Sequence, residues 1–135
     1  MSTEAPLAII ADDNLMFAMM AEPALKRCGY RTRTLSGGPG SAARIAAEAP
    51  ELVLVNLAST RYPGADLIRD LRAEPATAET PVIGYAGHVE RDLLQAGRDA
   101  GATLVVPNSA ISRALPEVLE KLQRRLAGEP VSEED

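Results

Sequence analysis

Leu52-Val53-Leu54-Val55, followed directly by Asn56, is a short run of aliphatic residues with no polar position. A run of this kind predicts a strand that is buried on both faces, as in a parallel sheet with helices on either side. Four further segments predict strands: the apolar runs 7–11, 81–85 and 102–106, and the partly alternating run 30–35. The sequence therefore predicts five strands.

Segments with helical spacing of apolar residues separate the strands. They predict helices over 15–27, 41–48, 64–73 and 89–100, and a last helix that follows Ser112 and runs to Leu126. In the first helix, Leu15, Met19, Met20 and Leu25 form the expected apolar stripe, and Pro23 is expected to bend or interrupt it. Five strands that alternate with five helices predict an α/β fold, a (βα)5 three-layer sandwich with right-handed crossovers.

Length and charge limit the class of protein. The 135 residues predict a single domain over 1–127, followed by an acidic tail over 128–135 that we expect to be disordered. A net charge of −5 argues against nucleic acid as the main partner, since phosphate binding depends on clustered Lys and Arg. No secretory or membrane-spanning run is visible, so we expect a cytoplasmic protein without membrane contact.

Polar residues occur where several predicted strands end. In a parallel α/β sheet, ligands gather at the carboxyl ends of the strands, near the point where the strand order reverses. The residues at these ends are Asp12-Asp13, Asn56, Ala86 to His88, and Pro107-Asn108. We therefore expect them to lie together at one edge of the sheet.

From about Pro6 to Leu126, these features resemble the receiver domains of bacterial two-component response regulators. The matching pieces are Asp12-Asp13 after the first strand, residues 50–57 around the third strand, Gly64 with 67–72, residues 80–83, and Ala100-Gly101-Ala102. The resemblance implies a CheY-like, flavodoxin-like doubly wound sheet of five parallel strands. It also implies a part in phosphorelay signal transduction.

The sequence departs from the receiver pattern at four linked positions. Asn56 lies where the resemblance places the phosphate-accepting aspartate, and an amide is almost non-nucleophilic. Ala86 replaces a hydroxyl residue that bonds the phosphoryl group, and Asn108 replaces a lysine that neutralises its charge. Val105 replaces an aromatic switch residue. The resemblance therefore implies a pseudo-receiver, and a receiver phosphorylated at an unexpected residue is the alternative.

The acidic pair Asp12 and Asp13 is the part of the receiver site that remains. Mg²⁺ prefers oxygen ligands, but with Asn56 in place of a third carboxylate we expect the magnesium site to be weak or lost, and no other cofactor. A structural alternative is that Asp12 or Asp13 caps the first helix.

Three polar residues are candidates for the rim of the former phosphoryl pocket: His88, Ser59 and Ser109. His88 has no Ser or Cys nucleophile at a recognised spacing, so we expect no catalytic residue and no enzyme activity. An alternative function is a small-ligand or anion site beside Ala86 and Asn108, where smaller, neutral side chains leave room.

The favoured function is signalling through protein contacts. No output domain follows Leu126 in this sequence, so we expect the output to come from a kinase, an output protein or a second copy of the chain. The resemblance implies that the fourth helix, fifth strand and fifth helix form the docking or dimer surface. Its candidate residues are Arg91, Asp92, Gln95, Arg98, Asp99, Lys121 and Arg125.

Overall fold

A computed structural model describes residues 4–131. Five strands form one sheet: β1 (Leu7–Ala11), β2 (Arg31–Leu35), β3 (Leu52–Asn56), β4 (Val82–Ala86) and β5 (Leu104–Pro107). All neighbouring strands are parallel, in the order β2-β1-β3-β4-β5. The predicted α/β class and five-stranded parallel sheet are confirmed.

Six α-helices connect and follow the strands: α1 (Leu15–Arg27), α2 (Ser41–Ala47), α3 (Gly64–Ala73), α4 (Arg91–Ala100), α5 (Asn108–Arg113) and α6 (Leu115–Leu126). A short 3-10 helix covers Pro75–Thr77. Helix α5 was not predicted, and the last helix begins at Leu115 rather than directly after Ser112. Pro116 has no backbone N–H to donate inside a helix, so it lies in the first turn of α6. Helix α5 ends at Arg113, and Ala114 separates the two helices.

Both faces of the sheet are covered, which explains why the strands are apolar throughout. Alternate residues of β3 enter opposite cores: Val53 and Val55 pack on the side of α2, α3 and α4, and Leu52 and Leu54 on the side of α1, α5 and α6. All four side chains are buried. The sheet therefore separates two groups of helices, and it reverses its order between β1 and β3.

Helix α1 is oriented differently from the prediction. Its inner face consists of Ala18, Ala21, Ala24 and Leu25, which are buried. Of the predicted apolar stripe, only Leu25 points inward, whereas Leu15, Met19 and Met20 are exposed. The small alanines let the helix backbone approach the sheet closely, which long methionine side chains would prevent.

The expected interruption at Pro23 was also wrong, because α1 is continuous from Leu15 to Arg27. Pro23 lies on the exposed side of the helix. Water can therefore bond the backbone carbonyl that the missing proline N–H leaves without its helical partner.

The segment after α6 is only partly described. Val131 packs against the core beside α1 and α6, and its carbonyl accepts a hydrogen bond from Arg125 at 3.0 Å. Residues 132–135 of the expected acidic tail lie outside the described residues. Within residues 4–131, no helix combines the length and apolar character needed to cross a membrane.

Gly64 brings α3 against the end of β3. A Cβ atom at this position would lie 2.7 Å from the Cα of Leu57 and closer still to the carbonyl oxygen of Asn56. Only a residue without a side chain therefore allows the first turn of α3 to lie against this backbone.

We predict that Gly64→Ala lowers the free energy of unfolding by about 2 kcal/mol, because backbone atoms cannot move aside as a side chain would. Gly38→Ala is the matched control, since a Cβ at Gly38 meets nothing within 4 Å. Urea denaturation of both variants measures the difference. Equal midpoints for the two variants would contradict the close-approach argument.

Candidate functional site

The carboxyl ends of β1 and β3 meet at the edge of the sheet where the strand order reverses. Asp12 follows β1, and its Oδ1 lies 2.9 Å from the Nδ2 of Asn56 at the end of β3. The structure therefore brings together these two residues, which the sequence placed at the strand ends.

The Asp12 carboxylate is fully buried, and both of its oxygens accept hydrogen bonds from the protein. Oδ1 accepts from the Asn56 side chain at 2.9 Å and from the backbone N–H of Asn14 at 2.7 Å. Oδ2 accepts from the hydroxyl of Tyr85 at 2.7 Å. A buried carboxylate without such donors would be strongly unfavourable, so these bonds are what allows the charge to remain inside.

Tyr85 was not identified by the sequence analysis, although it supplies one of these three bonds. It lies on β4, is buried, and stacks against Phe17 of α1 with ring centroids 4.9 Å apart. Burial raises the pKa of Tyr85 well above its usual value, and the charge and hydrogen bond of Asp12 raise it further. The sequence did contain a signal for this role, because a tyrosine inside a buried apolar strand needs a hydrogen-bond partner for its hydroxyl.

Asn56 satisfies two partners of opposite character. Its Nδ2 donates to Asp12, and its Oδ1 accepts the backbone N–H of Ala58 at 2.8 Å. An aspartate here would place a second negative oxygen against the Asp12 carboxylate, and the two charges would repel. The amide is therefore the side chain that matches this arrangement.

Asp13 points away from Asp12 and holds the loop that follows β3. Its Oδ2 accepts from the backbone N–H and the hydroxyl of Thr60, at 2.9 and 3.2 Å, and from the N–H of Arg61 at 3.3 Å. Burial alone would raise the pKa of the Asp13 carboxyl, but these donors together hold it below its usual value. The alternative role as a helix cap was wrong, since Asn14 caps α1 through the N–H of Phe17.

These residues do not fit a Mg²⁺ ion. Both oxygens of Asp12 and the amide oxygen of Asn56 already accept hydrogen bonds from protein donors. Within residues 4–131, no group of three or more His, Cys, Asp or Glu side chains is arranged to hold a metal. Asp12 and Asn56 thus have protein partners where the receiver resemblance implies a metal ion.

The other positions of the implied phosphoryl site lie on or directly after β4 and β5 and differ in environment. Ala86 and Val105 are buried in the core beside α3 and α4. Asn108 is exposed and begins α5. Ser59 is half-buried in the loop after β3, whereas Ser109 is exposed in α5. Within residues 4–131, no hydrogen bond or ion pair joins Asn108 to Asn56 or Asp12.

A groove of about 580 Å³ lies along α4 and the end of β5. The residues that line it are His88, Arg91, Asp92, Leu94, Gln95, Arg98 and Pro107. Four of the residues predicted for a partner surface therefore share one concave surface with His88. Within α4, Gln95 accepts a bond from Arg98 at 3.3 Å and donates to Asp99 at 2.9 Å.

Lys121 and Arg125 do not line this groove. Both belong to α6, which packs on the other side of the sheet from α4. Arg125 donates to the backbone carbonyls of Thr103 and Val131, at 3.3 and 3.0 Å, so its guanidinium binds the C-terminal segment to the domain. The residues predicted for the partner surface therefore lie on α4 and α6, on either side of the edge strand β5, and one shared surface across that strand stays a prediction.

Solved structures of response regulators share this fold. A response regulator from Thermotoga maritima is 21% identical with a TM-score of 0.72, covering 87% of this chain and 97% of that one. A LuxR-family two-component response regulator from Aurantimonas sp. SI85-9A1 is 20% identical with a TM-score of 0.73, covering 97% and 91%. The chemotaxis response regulator CheY4 of Vibrio cholerae is 18% identical with a TM-score of 0.69, covering 86% and 99%.

The chain therefore has the CheY-like fold of response regulator receiver domains. At these identities the likeness concerns the fold alone. No protein-family model matches the sequence, and a search of curated proteins finds no significant match.

We predict that Tyr85→Phe lowers the free energy of unfolding by about 2 kcal/mol, because it leaves one oxygen of the buried Asp12 carboxylate without a donor. Tyr62→Phe is the control, since Tyr62 makes the same kind of bond, to Asp70 at 2.7 Å, in a partly exposed place. The free energy of unfolding should fall less in Tyr62→Phe, because water can take the place of the hydroxyl at a partly exposed position. Chemical denaturation at neutral pH compares the two, and a larger loss in Tyr62→Phe would refute the role of Tyr85.

Proposed function

We propose that this chain is a pseudo-receiver, a non-enzymatic signalling module that acts through protein contacts without aspartyl phosphorylation. The observation that carries this proposal is the closed network of Asp12, Asn56 and Tyr85. Both oxygens of Asp12 and both polar atoms of the Asn56 side chain are bonded to protein partners.

The chemistry of the strand ends supports the proposal. An amide at residue 56 offers no carboxylate oxygen to attack a phosphorus atom. The buried methyl groups of Ala86 and Val105 supply neither a hydroxyl donor nor an aromatic ring that could move on activation. A protein of this kind signals by binding, and its fold supplies rigid elements for the binding surface.

The groove along α4 is the surface that we propose for the protein partner, a kinase or an output protein of a two-component-type pathway. It combines the positive side chains of Arg91 and Arg98 with the carboxylate of Asp92 and the amide of Gln95, around the largely buried Leu94. Mixed charge around a small apolar floor favours a specific protein contact, because opposite charges orient the partner and like charges exclude others.

We predict that incubation with acetyl phosphate and Mg²⁺ leaves the mass of the intact protein unchanged, because the chain lacks the acceptor carboxylate. A receiver domain that retains its aspartate serves as the positive control under the same conditions. A stoichiometric phosphoryl adduct on this chain would overturn the proposal and favour the alternative of an unexpected acceptor residue.

We predict that Arg91→Glu abolishes affinity capture of the partner from a lysate of the native organism, because it reverses a charge at the groove. Arg113→Glu makes the same change at an exposed position of α5 and should leave capture intact. Thermal stability of both variants should match the wild type. If both capture the same proteins as the wild type, the partner surface does not include the groove.

The alternative function, a small-ligand or anion site beside Ala86 and Asn108, stays a prediction. Ala86 is fully buried, and the groove is lined by His88 and α4 rather than by Ala86 or Asn108. The positive side chains available to a small anion are therefore those of Arg91 and Arg98 in the groove. Stabilisation of the wild type by a phosphate-containing metabolite, lost in Arg91→Glu, would favour this alternative.

A further inference from the structure

The outer face of α1 is apolar as well as its inner face. Leu15, Met16, Met19 and Met20 are exposed by 66%, 78%, 71% and 60%. Their spacing places them on one side of the first two turns, opposite the buried alanines and Leu25. A helix that is apolar on both sides is usually covered on both sides.

The outer face of α1 is as large as the largest apolar patch of a typical monomer, and such patches are often functional. The four side chains expose an area on the order of 500 Å², within the range of about 300–600 Å² that the largest apolar patch of a monomer spans. Single exposed hydrophobic residues need no explanation, but four adjacent ones do. Methionine is flexible and adapts to a facing surface, which suits a binding role.

The charges at the two ends of α1 are complementary to each other. Lys26 and Arg27 are exposed in its last turn, and the partly exposed Asp13 lies just before its first turn. Asp13 accepts bonds from Thr60 and Arg61 through Oδ2, and Glu22, within the helix, accepts a bond from Thr34 at 2.7 Å. A second α1 in the antiparallel direction would therefore bring opposite charges together at both ends.

The spacing of the residues also fits such a pair. In an antiparallel pair centred between Met19 and Met20, each of these residues faces the other across the symmetry axis. Within the helix, at 1.5 Å of rise per residue, the same register places Met16 opposite Pro23, and it brings Lys26 to the end of the second helix that Asp13 precedes, each approach occurring twice.

We propose that two copies of this chain associate through the outer faces of their α1 helices, packed antiparallel. The two patches together would bury about 1,000 Å², close to the lower limit of about 1,000–1,200 Å² for a specific interface, so we expect a dimer of micromolar affinity. This surface differs from the one that the receiver resemblance implied for a dimer, which involves α4, β5 and the last helix.

The position of α1 determines what such a dimer can do. Helix α1 packs on one side of the sheet, and α4 with its groove packs on the other. Association through α1 therefore leaves the grooves of both copies accessible. A dimer with two open grooves binds a multivalent partner more tightly than either copy alone.

Sedimentation velocity from about 1 to about 500 μM tests the proposal, with a monomer mass of 14.3 kDa as the reference. We expect the wild type to form a dimer with increasing concentration and Met19→Lys to weaken it at least about tenfold. Lysine has nearly the helix propensity of methionine, so the fold should persist, which circular dichroism checks. Val89→Lys is the matched control, because Val89 is 76% exposed outside α1 and should leave the dimer unchanged.

The orientation has its own test. Lys26→Glu should weaken the dimer, because it brings a glutamate against Asp13 of the second copy, whereas Arg113→Glu should not. A wild type that stays monomeric throughout the concentration range would overturn the proposal. A dimer that dissociates in Arg91→Glu but persists in Met19→Lys would also overturn it. If Met19→Lys weakens the dimer and Lys26→Glu does not, the antiparallel register is wrong.

Discussion

The buried carboxylate of Asp12 is the constraint on which the polar end of this molecule depends. A negative charge with no exposure to water must be met by donors, and three different elements supply them: Asn56 from β3, Tyr85 from β4 and the N–H of Asn14 before α1. These bonds connect neighbouring strands and orient the start of α1. The Asp12 carboxylate thus holds together the ends of β1, β3 and β4 and the start of α1.

This arrangement explains why an asparagine suits position 56. Two carboxylates at this distance repel each other unless a cation or a shared proton lies between them, whereas a carboxylate and an amide bond directly. Tyr85 completes the set, because its hydroxyl occupies the second oxygen of Asp12. In this chain, protein donors stabilise the acidic residue that the receiver resemblance associates with a metal ion, and the proposed function follows from that substitution.

The sheet divides the molecule into two sides with different surfaces. The side of α4 carries a concave, mixed-charge groove, and the side of α1 carries a flat apolar face with charges at its ends. Because the strands between them are buried on both faces, the two surfaces lie on one rigid body. The proposed partner groove and the proposed α1 dimer surface can therefore be occupied at the same time.

The sequence by itself determined the sheet, because strands buried on both faces must be apolar throughout, and 52–55, 7–11 and 81–85 meet that condition. It also placed Asp12 and Asn56 near each other, since parallel strands end at a common edge. The tertiary structure decided the remainder. The first two turns of α1 are apolar on both sides, so periodicity could not select the inner face, and the close distance to the sheet selected alanines over methionines. Tyr85 gained its role from a partner 73 positions away in the chain, a contact that no local pattern records.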